Sequence, residues 1–204
     1  MANSVVITGA VEGTLDEAVL IRLVEHVGAT PGPIHGKMGK QALLERLHGY
    51  NQAAQFNPWM VIVDLDADAD CAPPFRQNHL PRPAGNMCFR IAVRAIEAWL
   101  LADRERIAKW LSIARSRIPP DPDALPDPKN VVVTLARNSR RHAIKEDMVP
   151  QPGSGRSVGP AYTSQMTQFV SDHTDGWRPQ IAANTSNSLA RCLSCLGGLL
   201  NGLT

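Results

Sequence analysis

The sequence predicts an α/β protein, a mostly parallel sheet flanked by helices, followed by a helical C-terminal extension. Three observations carry this prediction. Two short apolar runs rich in β-branched residues, one around Val5–Thr8 and one at Trp59–Leu65 (WMVIVDL), read as strands. The second is apolar on both faces, as a central parallel strand is. Between these runs and after them, apolar residues recur at the three- and four-residue spacing of helices.

The elements follow in order. Ser4–Thr8 is expected as the first, buried strand. Thr14–Val27 is expected as a helix, with Leu15, Val19, Leu20, Leu23 and Val27 at helical spacing and Gly28 as its stop. Pro31, Gly32, Pro33 and Gly36 mark a loop. Gln41–Ala54 reads as a second helix with Leu43, Leu44 and Leu47 on one face. After the Trp59–Leu65 strand comes a weaker strand, Met87–Val93, and then one long helix, Ala95–Ala114, carrying Ile96, Leu100, Ile107 and Leu111. The expected order is strand, helix, helix, strand, strand, helix.

The next stretch, IPPDPDALPDPK, has five prolines and is a rigid connection. Asp127 followed by Pro128 has the pattern of a helix N-cap and first position, with the helix running on through VVVTLARNSRRH. Residues 149–160 read as a loop, and YTSQMTQFV and SNSLARCLSCLGGLL as helices. No internal repeat is present. The expectation is one domain over residues 1–204, with an α/β core at 1–117 and a helical extension at 118–204.

Composition sets wide bounds. A 204-residue chain with 44% hydrophobic residues can bury a core, so wholesale disorder is not expected. A formal net charge of +2 does not by itself point to nucleic acid. No segment has the roughly 18 or more apolar residues of a membrane span, so no membrane partner is expected. The N-terminus lacks the features of a secretory signal, and the expected location is the cytoplasm. Cys71, Cys88, Cys192 and Cys195 should then stay reduced. Cys192 and Cys195 form one CxxC without a second pair or nearby histidines, and their spacing fits the buried face of a helix better than zinc or redox chemistry.

Acidic residues stand where strands are expected to end. Glu12 follows the first strand in VEGTLDE, where a carboxylate needs a metal, a basic residue or solvent for compensation. Asp64, Asp66, Asp68 and Asp70 follow the strongest strand in VIVDLDADAD. The two-residue period of a strand places Asp64 and Asp66 on one face at its carboxyl end, where open α/β sheets bind ligands. Two carboxylates held so closely repel unless a cation lies between them or one takes a proton. An oxygen-rich cluster suits Mg²⁺ or Mn²⁺. A solvated acidic loop is the other reading. A calcium loop is excluded, because Ala69 stands where its glycine is needed and Phe75 where its terminal glutamate is needed. Glu97, at the start of the long helix, is a further metal-ligand candidate, or else a salt-bridge or helix-dipole partner. Asp103 lies nearly opposite it around the helix and is a weaker candidate.

Glu12 in VEGTLDE with Asp64 and Asp66 in DLD resembles the Toprim (topoisomerase–primase) domain, which has a glutamate after its first strand and a DxD after a later one. The VEGxxDExxL form is most similar to the Toprim domains of OLD-type nucleases. RIAVRAIEAWLLADRERIAKWL resembles a signature of an uncharacterised prokaryotic family with a Toprim-like core, met near phage-defence genes. That resemblance extends over HGKMGK, DPK, RNSRRHAIKEDMVP, VGPAYTSQMTQFV and NSLARCL. It implies a Toprim-like fold, Mg²⁺ (or Mn²⁺) on Asp64 and Asp66, and Glu12 as metal ligand or general acid–base. Asp68 and Glu97 are added as candidate metal ligands. The neighbouring motifs differ from those of topoisomerases and primases, so neither activity carries over.

Basic residues complete the reading. Arg137, Arg140, Arg141 and Lys145 in RNSRRHAIK bring four positive charges and no acid, enough to track a phosphate backbone, though a solvated helix face has the same look. Lys37 and Lys40 in HGKMGK are candidate phosphate contacts, without the spacing of a Walker A loop. Lys129, and Arg156 in GSGR, could approach the acidic edge. His35, His48, His79 and His142 lack metal-ligand spacing and read as surface or loop residues. The expected function is Mg²⁺-dependent phosphoryl transfer on DNA or RNA, nuclease-like. The alternative is a Toprim-like binding module, without turnover, that serves a defence-system or regulatory protein complex.

Overall fold

A computed structural model describes residues 4–202; residues 1–3 and 203–204, the ends of the expected domain, lie outside the described residues. The elements are β1 (Val6–Val11), α1 (Thr14–His26), β2 (Thr30–Gly36), α2 (Lys40–Ala53), β3 (Trp59–Asp64), α3 (Ala72–His79) and β4 (Met87–Ala92). The chain continues with α4 (Ile96–Ala102), α5 (Arg104–Trp110), a 3-10 turn at Arg115–Arg117, and α6 (Pro128–Arg137). It ends with α7 (His142–Met148), α8 (Tyr162–Ser171), α9 (Pro179–Ala182) and α10 (Asn187–Asn201). The fold is α/β, with a four-stranded sheet in the order β2-β1-β3-β4, every pairing parallel, and helices on its faces.

Strand parity decides what each face sees. In β3, Met60 and Ile62 point into one hydrophobic core, and Trp59, Val61 and Val63 into the other. The larger core joins these residues to Val19 and Leu23 of α1, Trp99 of α4 and Phe169 of α8. The smaller is closed by Leu43 and Leu47 of α2 and Phe75 of α3. By the same parity Asp64, the last residue of β3, faces the α1 and α4 side.

The helical extension belongs to the larger core. Trp177 Nε1–H donates to the carbonyl of Trp99 at 3.0 Å, and Trp99 Nε1–H donates to the Ser188 hydroxyl at 2.7 Å. Both rings are 0% exposed, so each is buried with its one polar atom satisfied. Truncating either to alanine would cost about 3–5 kcal/mol. Among the described residues no helix is long and apolar enough to cross a membrane.

Five local expectations need correction. The first strand is Val6–Val11 rather than Ser4–Thr8, so it runs directly up to Glu12. The segment expected as a loop around Pro31 and Pro33 is the strand β2; it lies at the sheet edge, where a proline's missing N–H is tolerated. Gly36 ends it at φ +89°, and a Cβ there would lie 2.3 Å from the Val11 carbonyl oxygen. The helix α3 was not expected, and its prolines occupy the first turn, where they leave no hydrogen bond unmade. The long helix at 95–114 is two helices, broken at Asp103, whose side chain caps α5 by accepting from Arg106 N at 3.3 Å. The helix expected through VVVTLARNSRRH stops at Arg137, and a link at 138–141 leads into α7. At the start of α6, Asp127 caps with Pro128 in the first turn, as the sequence pattern predicts.

Candidate functional site

The two central strands, β1 and β3, end side by side, and each delivers a carboxylate to the carboxyl edge of the sheet. Glu12 Oε1 accepts from the Asp64 backbone N–H at 2.7 Å. Asp64 Oδ1 in turn accepts from Ile96 N at 2.9 Å, at the first residue of α4. One residue on, Glu97 is 1% exposed; its Oε1 accepts from the Tyr162 hydroxyl at 3.1 Å and lies 3.7 Å from Lys129 Nζ. Asp16, in the first turn of α1, is 8% exposed. A cavity of about 220 Å³ opens onto Asp16, Asp64, Glu97, Lys129, Tyr162 and Ser157.

Burial and mutual repulsion leave these carboxylates under-compensated. Burial pushes Glu12 up to about 7, against the Asp64 N–H bond that favours its ionised form. Burial and then the Glu97 charge push Asp16 up to about 6. Asp64 is held well above the ordinary carboxylate range, first by burial and then by Asp16, Glu97, Glu12 and Asp66. Burial raises Glu97 too, opposed by Lys129, whose own value is raised chiefly by Glu97. Asp16 Oδ1 and Glu97 Oε2 are buried without a hydrogen-bond partner. A buried carboxylate oxygen in that state is a place for a proton or a cation.

The other predicted site residues have partners of their own or lie at the surface. Strand β3 ends at Asp64, so its parity does not reach Asp66, which has a left-handed backbone with φ 49°. Asp66 and Asp68 both bind Lys40 Nζ, at 2.5 and 2.8 Å, with side chains about half exposed (54% and 47%). Lys37 pairs with Glu17 at 2.9 Å. The HGKMGK loop is strapped to the end of β1 by Lys37 N to Val11 O and Gly39 N to Glu12 O. Lys129 is brought to Glu97, whereas Arg137, Arg140, Arg141 and Lys145 are exposed at the surface. Among the described residues no group of three or more His, Cys, Asp and Glu side chains is arranged to hold a metal ion.

Two participants do not stand out in the sequence. Asp16 stands four residues after Glu12, a spacing that carries a carboxylate from strand end to first helical turn, and it has the look of an ordinary helix-start acid. Tyr162 comes from the extension, and nothing local in YTSQMTQFV ties it to Glu97. Of the cysteines, Cys88 and Cys192 are buried and Cys195 partly so, in the larger core, while Cys71 is exposed. His35 stacks on Trp59 at 5.5 Å, and His79 tilts against Phe75 at 4.4 Å. No family model matches the chain, and neither does any curated protein or solved structure.

Proposed function

We propose that the protein is a Mg²⁺- or Mn²⁺-dependent phosphoryl-transfer enzyme acting on a nucleic-acid phosphodiester, with the ion in the pocket lined by Asp16, Asp64 and Glu97 and held by one or two of these carboxylates. The observation that carries this reading is the pair of buried, unpartnered oxygens, Asp16 Oδ1 and Glu97 Oε2, on residues that line one cavity with Asp64. The donor set is all oxygen, as a hard divalent cation requires. A preassembled three-carboxylate cage is not required, because Mg²⁺ commonly keeps several waters and takes one or two carboxylates plus substrate phosphate. Bound there, the ion would supply positive charge to the phosphate oxygens.

The chain's own groups have separate tasks. Glu12, held at about 7, is suited to accept a proton at neutral pH. Lys129, with its side chain 49% exposed, can meet a phosphate while it neutralises Glu97. Tyr162 fixes the Glu97 carboxylate through its hydroxyl. Asp66 and Asp68 hold Lys40, and so fix the loop beside Glu12, rather than the ion. Arg137, Arg140, Arg141 and Lys145, exposed and without ion-pair partners among the described residues, would carry the nucleic-acid backbone.

A second reading is a binding module of a defence or regulatory complex. The Lys129–Glu97 and Lys40–Asp66 pairs favour it, since they compensate part of the acidic edge from within. Turnover separates the two. Single- and double-stranded DNA and RNA are incubated with wild type, Glu97→Gln and Asp64→Asn, with Mg²⁺, Mn²⁺ or chelator. Cleavage by wild type that is lost in chelator and in both folded variants supports the enzyme. No cleavage of any substrate by wild type with either metal supports the module.

A further inference from the structure

A second, larger cavity of about 490 Å³ lies beside the edge strand β4, and shares no lining residue with the carboxylate pocket. Three arginines reach it from three elements: Arg76 of α3, Arg90 of β4 and Arg191 of α10. α3 and α10 pack on opposite faces of the sheet, Phe75 in the smaller core and Cys192 in the larger. The convergence is therefore made by the fold around the sheet edge and not by a basic run in the sequence.

Arg76 and Arg90 lack the oxygen acceptors that the other half-buried arginines have. Arg178 holds Asp103 and Glu105, Arg106 holds Asp175, and Arg94 donates to three carbonyls. Arg22 and Arg104 have a buried Nε without an acceptor, but each donates through a terminal nitrogen, Arg22 to His173 and Trp177, Arg104 to the Ile118 carbonyl. Arg76 and Arg90 also have a buried, unpartnered Nε. Neither they nor Arg191 is in an ion pair among the described residues. Arg90 has the Cys195 sulfur as a partner: a hydrogen bond with Cys88 first, then the charges of Arg90 and Arg76 and a hydrogen bond with Arg90, hold that thiol down at about 7.

Two carboxylates also line the cavity, and neither neutralises the arginines. Asp123 accepts from the Ser186 hydroxyl at 2.7 Å and from Ser188 N at 3.1 Å, at the start of α10. Asp70 is exposed. The remaining wall includes Ala72, Pro73, Ile91 and Val93, which are apolar. Guanidinium forks matched to an apolar wall are the chemistry of a phosphate attached to an organic group. The volume falls within the roughly 300–1,000 Å³ of small-molecule sites.

We propose that this cavity binds a phosphate-bearing small molecule of mononucleotide size, with its phosphate on Arg76, Arg90 and Arg191 and its organic part against Pro73, Ile91 and Val93. The site is independent of the carboxylate pocket and needs no metal.

The test is calorimetric titration in chelator with pyrophosphate, ATP, adenosine and a 5′-phosphorylated trinucleotide. Wild type is expected to bind ATP and pyrophosphate, and adenosine far more weakly. Arg76→Gln and Arg191→Gln should each weaken ATP by about tenfold or more, while Glu97→Gln leaves it unchanged. Arg191 is exposed, so its variant keeps the test valid even where a change at Arg76 disturbs folding; circular dichroism checks both. No binding of ATP or pyrophosphate by wild type at millimolar concentration overturns the proposal. So does equal ATP affinity in Arg191→Gln, or adenosine binding as tightly as ATP. Binding of the trinucleotide without binding of ATP or pyrophosphate overturns the small-ligand assignment in favour of a nucleic-acid end.

Discussion

Glu97 and Asp103 stand at the two ends of α4, and both carboxylates are buried, 1% and 0% exposed. Asp103 is fully served. Arg178 grips it through Nε at 2.9 Å and Nη2 at 2.8 Å, and the backbone N–H groups of Arg178 and Arg106 donate at 3.1 and 3.3 Å. Glu97 has one tyrosine hydroxyl, a lysine at 3.7 Å, and an oxygen with no partner at all. Asp103 shows that this fold can fully satisfy a buried carboxylate where it ties α4, α5 and the extension together. The shortfall at Glu97, repeated at Asp16, is therefore a property of that pocket and not of burial in general, which is why the functional reading rests there.

Of the two carboxylates, the satisfied one should give the larger effect when removed. Asp103→Ala leaves two N–H groups without their acceptor and Arg178 with Glu105 alone, and should cost about 3 kcal/mol of stability in denaturant unfolding. Glu97→Gln removes a like charge from a repelling group and keeps an acceptor for Tyr162. In chelator it should leave stability unchanged or raise it by about 1 kcal/mol. Equal losses in the two variants would erase the distinction between them.

Acidity sharpens the same contrast. Glu12, Asp16 and Glu97 have values raised in the folded protein, so the fold binds protons more tightly than the unfolded chain does. Their stabilising contribution is complete below the ordinary carboxylate range and is lost as pH rises through about 6 and 7. The metal-free protein should thus be more stable at pH 5 than at pH 8, by roughly 1.4 kcal/mol for a rise the size of that at Asp16, the rest of that group's contribution being lost already below pH 5. Glu105, Asp172 and Asp175 have lowered values, and their contribution is lost only as pH falls through those values. Unfolding curves for wild type and Glu97→Gln in chelator measure this, the variant being the flatter. A wild-type profile that is flat or falls on going from pH 8 to pH 5 contradicts the account of the pocket.

Metal should substitute for those protons. At ten times its dissociation constant, Mg²⁺ or Mn²⁺ adds about 1.4 kcal/mol to stability by mass action, and should flatten the pH profile of wild type. Asp64→Asn keeps an oxygen for the Ile96 N–H but loses the charge, so it should fold and gain little from metal. An equal gain in Asp64→Asn places the ion elsewhere.

Much of this contrast is only partly legible in the sequence, for reasons that differ by residue. WMVIVDL announces a central strand because a parallel strand is apolar on both faces, and Asp64 is readable as its end. Asp127 with Pro128 announces a helix start because capping is local. β2 is hidden by Pro31 and Pro33, which forbid a central strand but not an edge. The break at Asp103 is hidden because the apolar spacing continues through it, and the arginine it binds lies at 178. The orientation of Asp66 is misread when strand parity is extended past the last strand residue. Tyr162 and Lys129 reach Glu97 from the extension, and only the tertiary fold brings them there.

The smallest effect concerns the basic residues beyond the pocket. Arg137 ends α6, Arg140 and Arg141 lie in the link, and Lys145 is in α7, so the strip is two segments with a turn between them and not one helix face. All four are exposed, which allows them to meet phosphates without leaving a partner. Removing one phosphate-binding side chain should reduce the slope of log affinity against log salt by about 1. Arg140→Ala with Arg141→Ala should therefore weaken binding to DNA or RNA without regard to sequence, lower that slope by about 2, and leave metal binding intact. Asp64→Asn should do the reverse, keeping nucleic-acid binding while losing the metal response. Isotherms at two salt concentrations for wild type and both variants decide this. If wild type binds neither DNA nor RNA at low salt, the strip is a solvated surface, and the binding-module reading takes precedence.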